Sequence, residues 1–387
     1  MFYKTESEVT KRWKDDKVLL SIICVAYNHE KYIEQALDSF LIQETDFAFE
    51  IVINDDCSTD NTARIIKAYQ DKYPKIIKPI YQKENCFQKN INFMKEIFIP
   101  VIQGAYIALC DGDDYWTDRH KLQKQVDFLE ANPEFMGCSH NTITVEKNNE
   151  TSKLVAYNGH QTDVHHFDEY SKGECYFHTS SYVYRFGGKY RTEVEEYLQF
   201  YNSDWYMCLV FSYFGPIKSF NNIMSAYRIH DLGIWSANES CLNEIYNILA
   251  CVSIVNIFDE KYRRNFYQAF LNVIRAKNSS EVSELLLKSA TEEEIKNTLI
   301  MIIDILNKDD SPINVLIGDF RKAIDYQEKM LHKNNDALKL QGECINECNK
   351  YIKELEEALE RERKKGIIEF VLKRVYRFCT RFYRRRN

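Results

Sequence analysis

The densest cluster of potentially reactive side chains is an acidic turn in the first third of the chain. Asp111, Asp113 and Asp114 stand within four residues, directly after an apolar run. Carboxylates this close repel one another, which costs stability unless a cation or hydrogen-bond donors compensate. Mg²⁺ and Mn²⁺ take oxygen ligands and are commonly held by one or two carboxylates together with substrate phosphates. The turn therefore predicts a divalent-metal site, with a solvated acidic turn as the alternative.

A second acidic segment, NDDCSTDN at residues 54–61, follows an earlier apolar run. One of Ser58, Thr59 and Asp60 is expected to cap the next helix, since short polar side chains bond the free amides of a helix N-terminus. Capping needs one residue and does not explain the two adjacent carboxylates before it. A carboxylate at the end of this strand could accept a hydrogen bond from the imide N–H of a pyrimidine base, so the segment favours a nucleotide contact.

The segment VAYN at residues 25–28 ends the first apolar run. A backbone edge and the ring of Tyr27 could receive a flat base there by hydrogen bonding and stacking. Taken alone, the segment is more typical of a turn in which Asn28 or His29 starts a helix.

The elements that must position these residues alternate in type from 18 to about 141. Strands are predicted at 18–26, 50–53, 76–81 and 106–110, with helices at 32–41, at 62–72 and from about 90. Strand runs with little polar alternation indicate burial on both faces, hence a mostly parallel sheet sandwiched by helices. The acidic segments follow strands, and sites in such sheets lie at the carboxyl ends of the strands.

Beyond residue 118 the pattern predicts a helix with Leu122, Val126 and Leu129 on one face, then strands at 135–145 and 175–184. The polar stretch 146–175 between those strands is interpreted as an insertion or an acceptor-side loop. The segment 178–181, on the second of these predicted strands, is expected to line an acceptor pocket.

The C-terminal part of the chain is predicted to be helical. A heptad repeat indicates a coiled-coil-like helix that either joins copies of the chain or packs on its own body; its positions are Leu331, Leu338, Ile345, Ile352 and Leu359. The last helix, 364–387, places apolar residues on one face and cations on another, which is typical of a helix lying on an anionic membrane surface or docked to a partner.

Charge and composition exclude several classes of protein. Nine Lys or Arg and one Glu give residues 364–387 a charge of +8, which leaves -15 for the rest of a chain whose net charge is -7. An acidic body argues against general nucleic-acid binding. No secretory signal is evident in 1–17 and no apolar run is long enough to cross a bilayer. We expect a cytoplasmic protein with free thiols, peripheral on the inner face of the cell membrane.

These motifs, in this order, resemble glycosyltransferase family 2, the inverting nucleotide-sugar transferases of GT-A fold. The resemblance runs over about 18–236 and is densest in SIICVAYNHEKYIEQALDSFLIQ, EIVINDDCSTDNTARII and YIALCDGDDYWTDRHKLQKQVDFLE. It divides the chain into an N-terminal segment (1–17), a GT-A glycosyltransferase domain (18–236), a helical region (237–330), a coiled-coil-like helix (331–363) and a basic amphipathic helix (364–387).

The resemblance implies a donor site with a Mn²⁺ or Mg²⁺ ion. The nucleotide-sugar would contact Val25, Ala26, Tyr27, Asn28, Asp56, Lys89, Asp111, Asp113 and Arg228, and the metal would be held by Asp113, Asp114 and His230. Many members have Pro-Thr before Tyr-Asn, where this sequence has Val25 and Ala26. A backbone contact would therefore have to replace a side-chain hydroxyl.

The resemblance also implies a general base at Asp204, in the segment NSDW. An inverting displacement requires a base on the face opposite the leaving diphosphate, within hydrogen-bond reach of the attacking hydroxyl. Helix capping is the alternative role for Asp204.

The predicted activity is transfer of one hexose or N-acetylhexosamine from a nucleoside-diphosphate sugar, most plausibly a UDP-sugar, to a glycan or lipid-linked oligosaccharide. Bacterial surface polysaccharide biosynthesis is the implied setting. One alternative is a nucleotidyltransferase, which typically brings a Gly-rich phosphate loop after its first strand, and VAYNHEKY has none. The other is a non-catalytic coiled-coil membrane adaptor with a degenerate transferase domain.

Overall fold

The computed structural model describes residues 4–89, 91–145, 151–155 (backbone only), 163–173, 177–198 and 203–230, with 254, 257–262, 265, 266 and 269. The chain divides into two compact units, Met1–Ser236 and Ala237–Asn387. In the second unit the described residues include a short 3₁₀-helix at Glu260–Tyr262 and a stacked pair of rings, Phe258 and Phe266. The predicted helices at 331–363 and 364–387 lie outside the described residues, as does most of 237–330.

The first half of the sheet is parallel, as predicted. Its strands lie in the order β3-β2-β1-β4, with bounds β1 Val18–Ala26, β2 Ala48–Asp55, β3 Ile77–Tyr81 and β4 Tyr106–Leu109. Every residue of β2 is buried, because helices cover both faces of this half of the sheet. This confirms an α/β sheet covered by helices.

The second half of the sheet is mixed, so the expected mostly parallel order holds only for the first half. The short strand β9, Val183–Arg185, is antiparallel both to β4 and to β6, Gly137–Val145, and thereby joins the two halves. Strand β10, Ile217–Arg228, is parallel to β6. The remaining strands pair antiparallel with β10 or β6, namely β5 Tyr115–Trp116, β7 Thr151–Val155 and β8 Val164–His165.

The predicted strand at 175–184 is wrong over most of its described length. Thr179–Ser181 is a 3₁₀-helix, and the strand begins only at Val183. The reason is local bonding, since the Ser181 hydroxyl donates to the His178 carbonyl over 2.7 Å and the Ser180 amide donates to the His178 ring over 3.3 Å. Such side-chain bonds compete with a sheet ladder.

Two helices begin and end within one residue of their predicted bounds, α2 Ile33–Leu41 and α3 Thr62–Lys72, and α4 Lys121–Ala131 carries the predicted face of Leu122, Val126 and Leu129. A π-helix at Phe93–Phe98 lies where a helix from about residue 90 is predicted. The helices for which no bounds are predicted are α1 Glu6–Thr10, α5 Phe167–Tyr170, α6 Arg191–Leu198 and α7 Asp204–Phe214. The periodic apolar face of α2, with Ile33, Leu37 and Phe40, packs in one core with alternate residues of β1. None of the described helices is long and apolar enough to cross a membrane.

The loops that follow β1, β2 and β4 meet at the carboxyl edge of the parallel half. The Asp56 amide donates to the Ala26 carbonyl over 2.9 Å, and the Gly112 amide donates to the Val25 carbonyl over 2.8 Å. The three segments singled out from the sequence therefore lie side by side.

Candidate active site

The acidic turn after β4 is held tightly against the end of β1. A Cβ atom added to Gly112 would lie 2.8 Å from Ile33 Cδ1 and 3.1 Å from Ala26 Cβ. Only glycine therefore fits between the turn and the start of α2 without a shift of those neighbours. The close approach sets the direction in which Asp111, Asp113 and Asp114 leave the backbone.

Asp113 faces two histidines from distant segments. Its Oδ2 atom lies 3.0 Å from His230 Nε2, which follows β10, and 3.6 Å from His29 Nε2, which follows β1. Burial by itself would raise the pKa of Asp113, but the hydrogen bond from His230 and the nearby His29 lower that pKa overall. Asp113 is therefore an ionised carboxylate beside two ring nitrogens.

Asp114 points the other way, into the protein. Its Oδ1 atom accepts a hydrogen bond from the Arg228 amide over 2.8 Å, and its Oδ2 atom lies 3.7 Å from His178 Nε2. Its side chain is 4% exposed, against 17% for Asp113. Burial, with the charge of Asp113, raises the pKa of Asp114 well above its usual value.

Arg228 braces the acidic turn from β10. Its guanidinium donates to the Asp113 carbonyl and to the Gln35 side chain. The same group lies 5.0 Å from the centre of the Tyr32 ring and 4.8 Å from that of Tyr115. These contacts favour a structural role, and a contact between Arg228 and a leaving diphosphate stays a prediction.

The acidic turn offers part of a metal site. Within the part of the chain that the structure describes, no three His, Cys, Asp or Glu side chains converge as a complete ligand set. Asp113 and His230 do converge, and a hard divalent ion is often held by one or two protein groups while substrate phosphates supply further oxygens. The pair therefore fits such an ion, whereas Asp114 would have to release Arg228 and turn outward to reach it.

Asp56, in the loop after β2, and the nearby Tyr27 and Phe87 are here called the second subsite. Both carboxylate oxygens of Asp56 already accept backbone amides, from Cys86 over 2.7 Å and from Phe87 over 3.1 Å. An ionised carboxylate oxygen has a second lone pair, so a further donor can still be accepted. Tyr27 is 38% exposed and Phe87 is 47% exposed. The Phe87 amide donates to Asp56, and Tyr27 follows Ala26, whose carbonyl accepts the Asp56 amide. Exposed rings beside a buried acceptor suit a flat heterocycle.

Asn28 ties the first loop to the second. Its amide donates to the Ser58 hydroxyl over 2.9 Å, and its Oδ1 atom accepts from the Thr59 amide over 2.8 Å. With the Val25 and Ala26 carbonyls also bonded to neighbouring loops, the predicted nucleotide contacts at these three residues stay predictions. So does the one at Lys89, which is exposed and forms an ion pair with Glu84.

Asp204 is the first residue of α7, but it is not the cap of that helix. Ser203 is the N-cap, because its hydroxyl accepts the Tyr206 amide over 3.1 Å. The capping alternative for Asp204 is therefore wrong, and its carboxylate accepts a hydrogen bond from the Thr179 hydroxyl instead.

The environment of Asp204 links it to the acidic turn. Asp204 is an exposed residue. The protein around its carboxylate raises the pKa of Asp204, and the hydrogen bond from the Thr179 hydroxyl opposes the rise. Burial first, then the charges of Asp113 and Asp204, raises the pKa of Asp111 well above its usual value. Geometry also joins Asp204 to the turn, because Thr179 bonds Asp204 and the ring of the preceding residue, His178, lies 3.7 Å from Asp114.

Residues 178–181, here called the bridging segment, connect the parts of this site. His178 approaches Asp114, Thr179 bonds Asp204, the Ser180 carbonyl accepts from Trp116 Nε1 over 2.9 Å, and the Ser181 carbonyl accepts from Gln125 Nε2 over 2.9 Å. Sequence reasoning missed these contacts, as it missed Phe87 and His29. The signal was four consecutive polar residues in a segment otherwise rich in tyrosine and phenylalanine.

Comparisons with known proteins show what this chain is similar to. The family model described as Glycosyl transferase family 2 matches residues 21–187. The uncharacterized protein Rv1520 of Mycobacterium tuberculosis is 36% identical over 220 residues, which cover 56% of this chain and 60% of that protein. The Escherichia coli UDP-Glc:alpha-D-GlcNAc-diphosphoundecaprenol beta-1,3-glucosyltransferase WfaP is 36% identical over 121 residues, 31% of this chain and 45% of that enzyme. The chain thus spans less than two thirds of either relative.

A solved structure shares the fold. The crystal structure of S. aureus TarS residues 1–349 in complex with UDP gives a TM-score of 0.53 at 18% identity, over 80% of this chain and 88% of that chain.

Proposed function

Because the chain belongs to glycosyl transferase family 2 through residues 21–187, we propose that it transfers one sugar from a UDP-sugar. The proposed acceptor is a hydroxyl of a glycan or lipid-linked oligosaccharide, and the transfer inverts the anomeric carbon. The observation that carries this proposal is the placement of Asp204. Asp204 is exposed and does not cap α7, and it is joined to the acidic turn through Thr179 and the preceding His178, whose ring lies 3.7 Å from Asp114.

The nucleotide is proposed to bind at the second subsite. In this proposal the uracil ring stacks on Tyr27, on Phe87 or on both, and Asp56 accepts a hydrogen bond from the imide N–H of the ring. The E. coli relative is named for a UDP-glucose donor and the S. aureus structure contains UDP, which supports a uridine nucleotide here. The transferred sugar is proposed to be a hexose or an N-acetylhexosamine.

Asp113 and His230 are proposed to hold the Mn²⁺ or Mg²⁺ ion. When bound, such an ion neutralises the charge that builds on the diphosphate as it leaves. Asp111 is proposed to contact the donor from the same turn. Asp114 and Arg228 serve chiefly to fix the direction of Asp113, which follows from their mutual hydrogen bond and from the bond between Arg228 and the Asp113 carbonyl.

In the proposed reaction Asp204 takes the proton from the acceptor hydroxyl. The hydroxyl oxygen forms its bond to the anomeric carbon while the bond from that carbon to the diphosphate oxygen breaks, so one step inverts the centre and no covalent enzyme intermediate forms. A general base works best when its pKa lies near the working pH. The raised pKa of Asp204 is in that direction.

The acceptor and the membrane contact are also proposals. The E. coli relative is named for a diphosphoundecaprenol-linked acceptor, and a carrier of that kind lies in a membrane. We propose that residues 364–387 attach to anionic lipid and bring the site to it, since cations and apolar residues occupy different faces of that sequence as a helix. Residues 331–363 are proposed to join copies of the chain.

The test combines binding with transfer. Melting temperature is measured with UDP, GDP, CDP and dTDP, each with Mn²⁺, Mg²⁺ or EDTA, and UDP release from UDP-sugars is followed with glycan and lipid-linked acceptors. Asp204→Asn is expected to keep the UDP-dependent shift and to lose at least about 100-fold of transfer. Asp71→Asn, an exposed carboxylate on α3, is the control and should match the wild type.

Two results would reject the proposal. If no nucleotide raises the melting temperature under any metal, the donor site is wrong. If Asp204→Asn leaves function intact in cells while deletion of 364–387 abolishes it, the chain is a membrane adaptor and not a transferase.

A further inference from the structure

Thr179 and Asp204 form a hydrogen bond between two segments that are 25 residues apart. An ionised carboxylate has no proton to give, so the Thr179 hydroxyl is the donor and Asp204 Oδ2 the acceptor. The hydroxyl hydrogen is thereby committed to one oxygen of Asp204, and no hydrogen bond to Oδ1 is described in the same part of the chain.

The support beneath Thr179 is rigid. The next two residues, Ser180 and Ser181, are fully buried. The Ser180 hydroxyl donates to the Ser225 hydroxyl of β10 over 3.0 Å, and the carbonyls of both serines accept from Trp116 and Gln125. Thr179 is therefore fixed by contacts to β5, α4 and β10, which also frame the acidic turn.

Asp204 has a competing arrangement available to it. The first amides of a helix lack partners within the helix, and an aspartate in the first turn can rotate to bond them. Ser203 caps only the Tyr206 amide. A carboxylate that turned onto its own helix would leave the shared site, so a donor on the opposite wall is needed to hold it there.

We propose that Thr179 is a positioning residue for the base, and that its hydroxyl holds Asp204 Oδ2 so that Oδ1 receives the proton of the acceptor hydroxyl. This rests on the proposed function, which makes Asp204 the base. The other titratable groups near Asp204 are Asp111 on the acidic turn and His178 beside Thr179. Burial, against the charge of Asp113, lowers the pKa of His178 to about 4, so His178 is neutral across the working range.

The experiment compares Thr179→Val, which keeps the shape and removes the hydroxyl, with Thr179→Ser, which keeps the hydroxyl. Thr192→Val, at an exposed position of α6, is the control. For Thr179→Val we expect kcat to fall about 10- to 100-fold, the size of a lost hydrogen bond to a charged group, with the KM for the donor unchanged. Thr179→Ser should retain most activity, and both variants should keep the UDP-dependent rise in melting temperature.

The pH profile separates positioning from a structural role. A hydrogen bond to a carboxylate favours its ionised form, so its loss in Thr179→Val should raise the acid-side pKa of kcat. The carboxyl carbon of Asp204, followed by NMR, should show the same rise without any need for turnover. An unchanged kcat and profile in Thr179→Val would overturn the proposal, as would equal losses in the Val and Ser variants together with a lost UDP shift.

Failure of the proposed function gives a different pattern. If the wild type transfers no sugar but the NMR pKa of Asp204 still rises in Thr179→Val, then Thr179 does orient the carboxylate and the assignment of Asp204 as a base is wrong. If that pKa does not move, Thr179 does not position Asp204 in any reaction.

Discussion

The backbone amide of Arg228 donates to Asp114 Oδ1 over 2.8 Å, so the end of β10 is joined directly to the acidic turn after β4. The two residues are 114 positions apart in the chain. The bond holds the buried Asp114 carboxylate inward, while the neighbouring Asp113 carboxylate lies beside His29 and His230. Adjacent acids thereby take different roles because one of them is turned inward.

The first prediction concerns that division of roles. Asp113→Asn should raise the Mn²⁺ concentration needed for the UDP-dependent melting shift by about ten-fold or more, because it removes a charged ligand that faces the site. Asp114→Ala should instead lower the free energy of unfolding by about 1–3 kcal/mol, because it leaves the buried Arg228 amide without its acceptor. Metal titrations and urea unfolding measure the two effects.

Asp114→Asn is the matched control for this comparison, since an amide oxygen can still accept the Arg228 amide. It should unfold close to the wild type. If Asp114→Asn raises the Mn²⁺ concentration needed for the melting shift while Asp113→Asn leaves it unchanged, then Asp114 is the metal ligand and its side chain turns outward on binding.

The second prediction concerns the guanidinium of Arg228. Arg228→Lys keeps the charge but cannot reach the Asp113 carbonyl and Gln35 at once while stacking between Tyr32 and Tyr115. We expect a loss of about 2–3 kcal/mol in the free energy of unfolding, from hydrogen bonds to a buried charged group. Arg119→Lys is the control, because Arg119 is exposed and pairs with Glu44. Equal stabilities for the two variants in urea would show that the brace is unimportant.

Much of the fold follows from the sequence because its elements are strongly periodic. The boundaries of β1 and α3 match the predicted 18–26 and 62–72, since an unbroken apolar run and an amphipathic face each allow one structure. The bridging segment could not be predicted in the same way. Its polar side chains bond their own backbone and distant groups, and a local pattern carries no information about those partners.

The site was predicted to the level of segments but not of atoms. Three loops at one sheet edge follow from parallel strand order, so Asp56, Asp113 and Tyr27 were found together. Asp114 is turned inward by its bond to the Arg228 amide, and the Asp204 carboxylate is bonded by the Thr179 hydroxyl. Both determinants are contacts between segments far apart in the chain, which a single sequence does not reveal.

The third prediction concerns strain in the loop after β2. Cys57 has a φ of 63°, a left-handed conformation that costs a non-glycine residue about 1 kcal/mol. Cys57→Gly should therefore raise the free energy of unfolding by up to about 0.5 kcal/mol, because the greater freedom of glycine in the unfolded chain cancels about 0.5–1 kcal/mol of the relief. Urea unfolding under reducing conditions measures it.

Asn28, with a φ of 56°, is the matched comparison for Cys57. Asn28→Gly relieves a similar conformation but removes the side-chain oxygen that accepts the Thr59 amide, so it should destabilise the fold. A gain in stability for Asn28→Gly and a loss for Cys57→Gly would contradict this account.

The last prediction concerns Lys121, the first residue of α4, which is fully buried. Its Nζ atom donates to Gln125 over 2.8 Å and lies 4.3 Å from the centre of the Trp116 ring. Burial lowers its pKa from 10.5 to about 7. Between these values the unfolded chain holds a proton on Lys121 that the folded chain has released, so stability contributed at this position rises with pH.

We therefore expect the difference in unfolding free energy between Lys121→Met and the wild type to depend on pH. At about pH 6 both states of the wild type are protonated, the fold carries the full cost of a buried ammonium, and the Met variant is the more stable. By about pH 10 this advantage should shrink by up to about 4 kcal/mol, since each pH unit between about 7 and 10 contributes about 1.4 kcal/mol. Lys124→Met, at an exposed position of the same helix, should show a difference that does not change with pH. A pH-independent difference for Lys121→Met would mean that the buried lysine keeps its proton in the folded state.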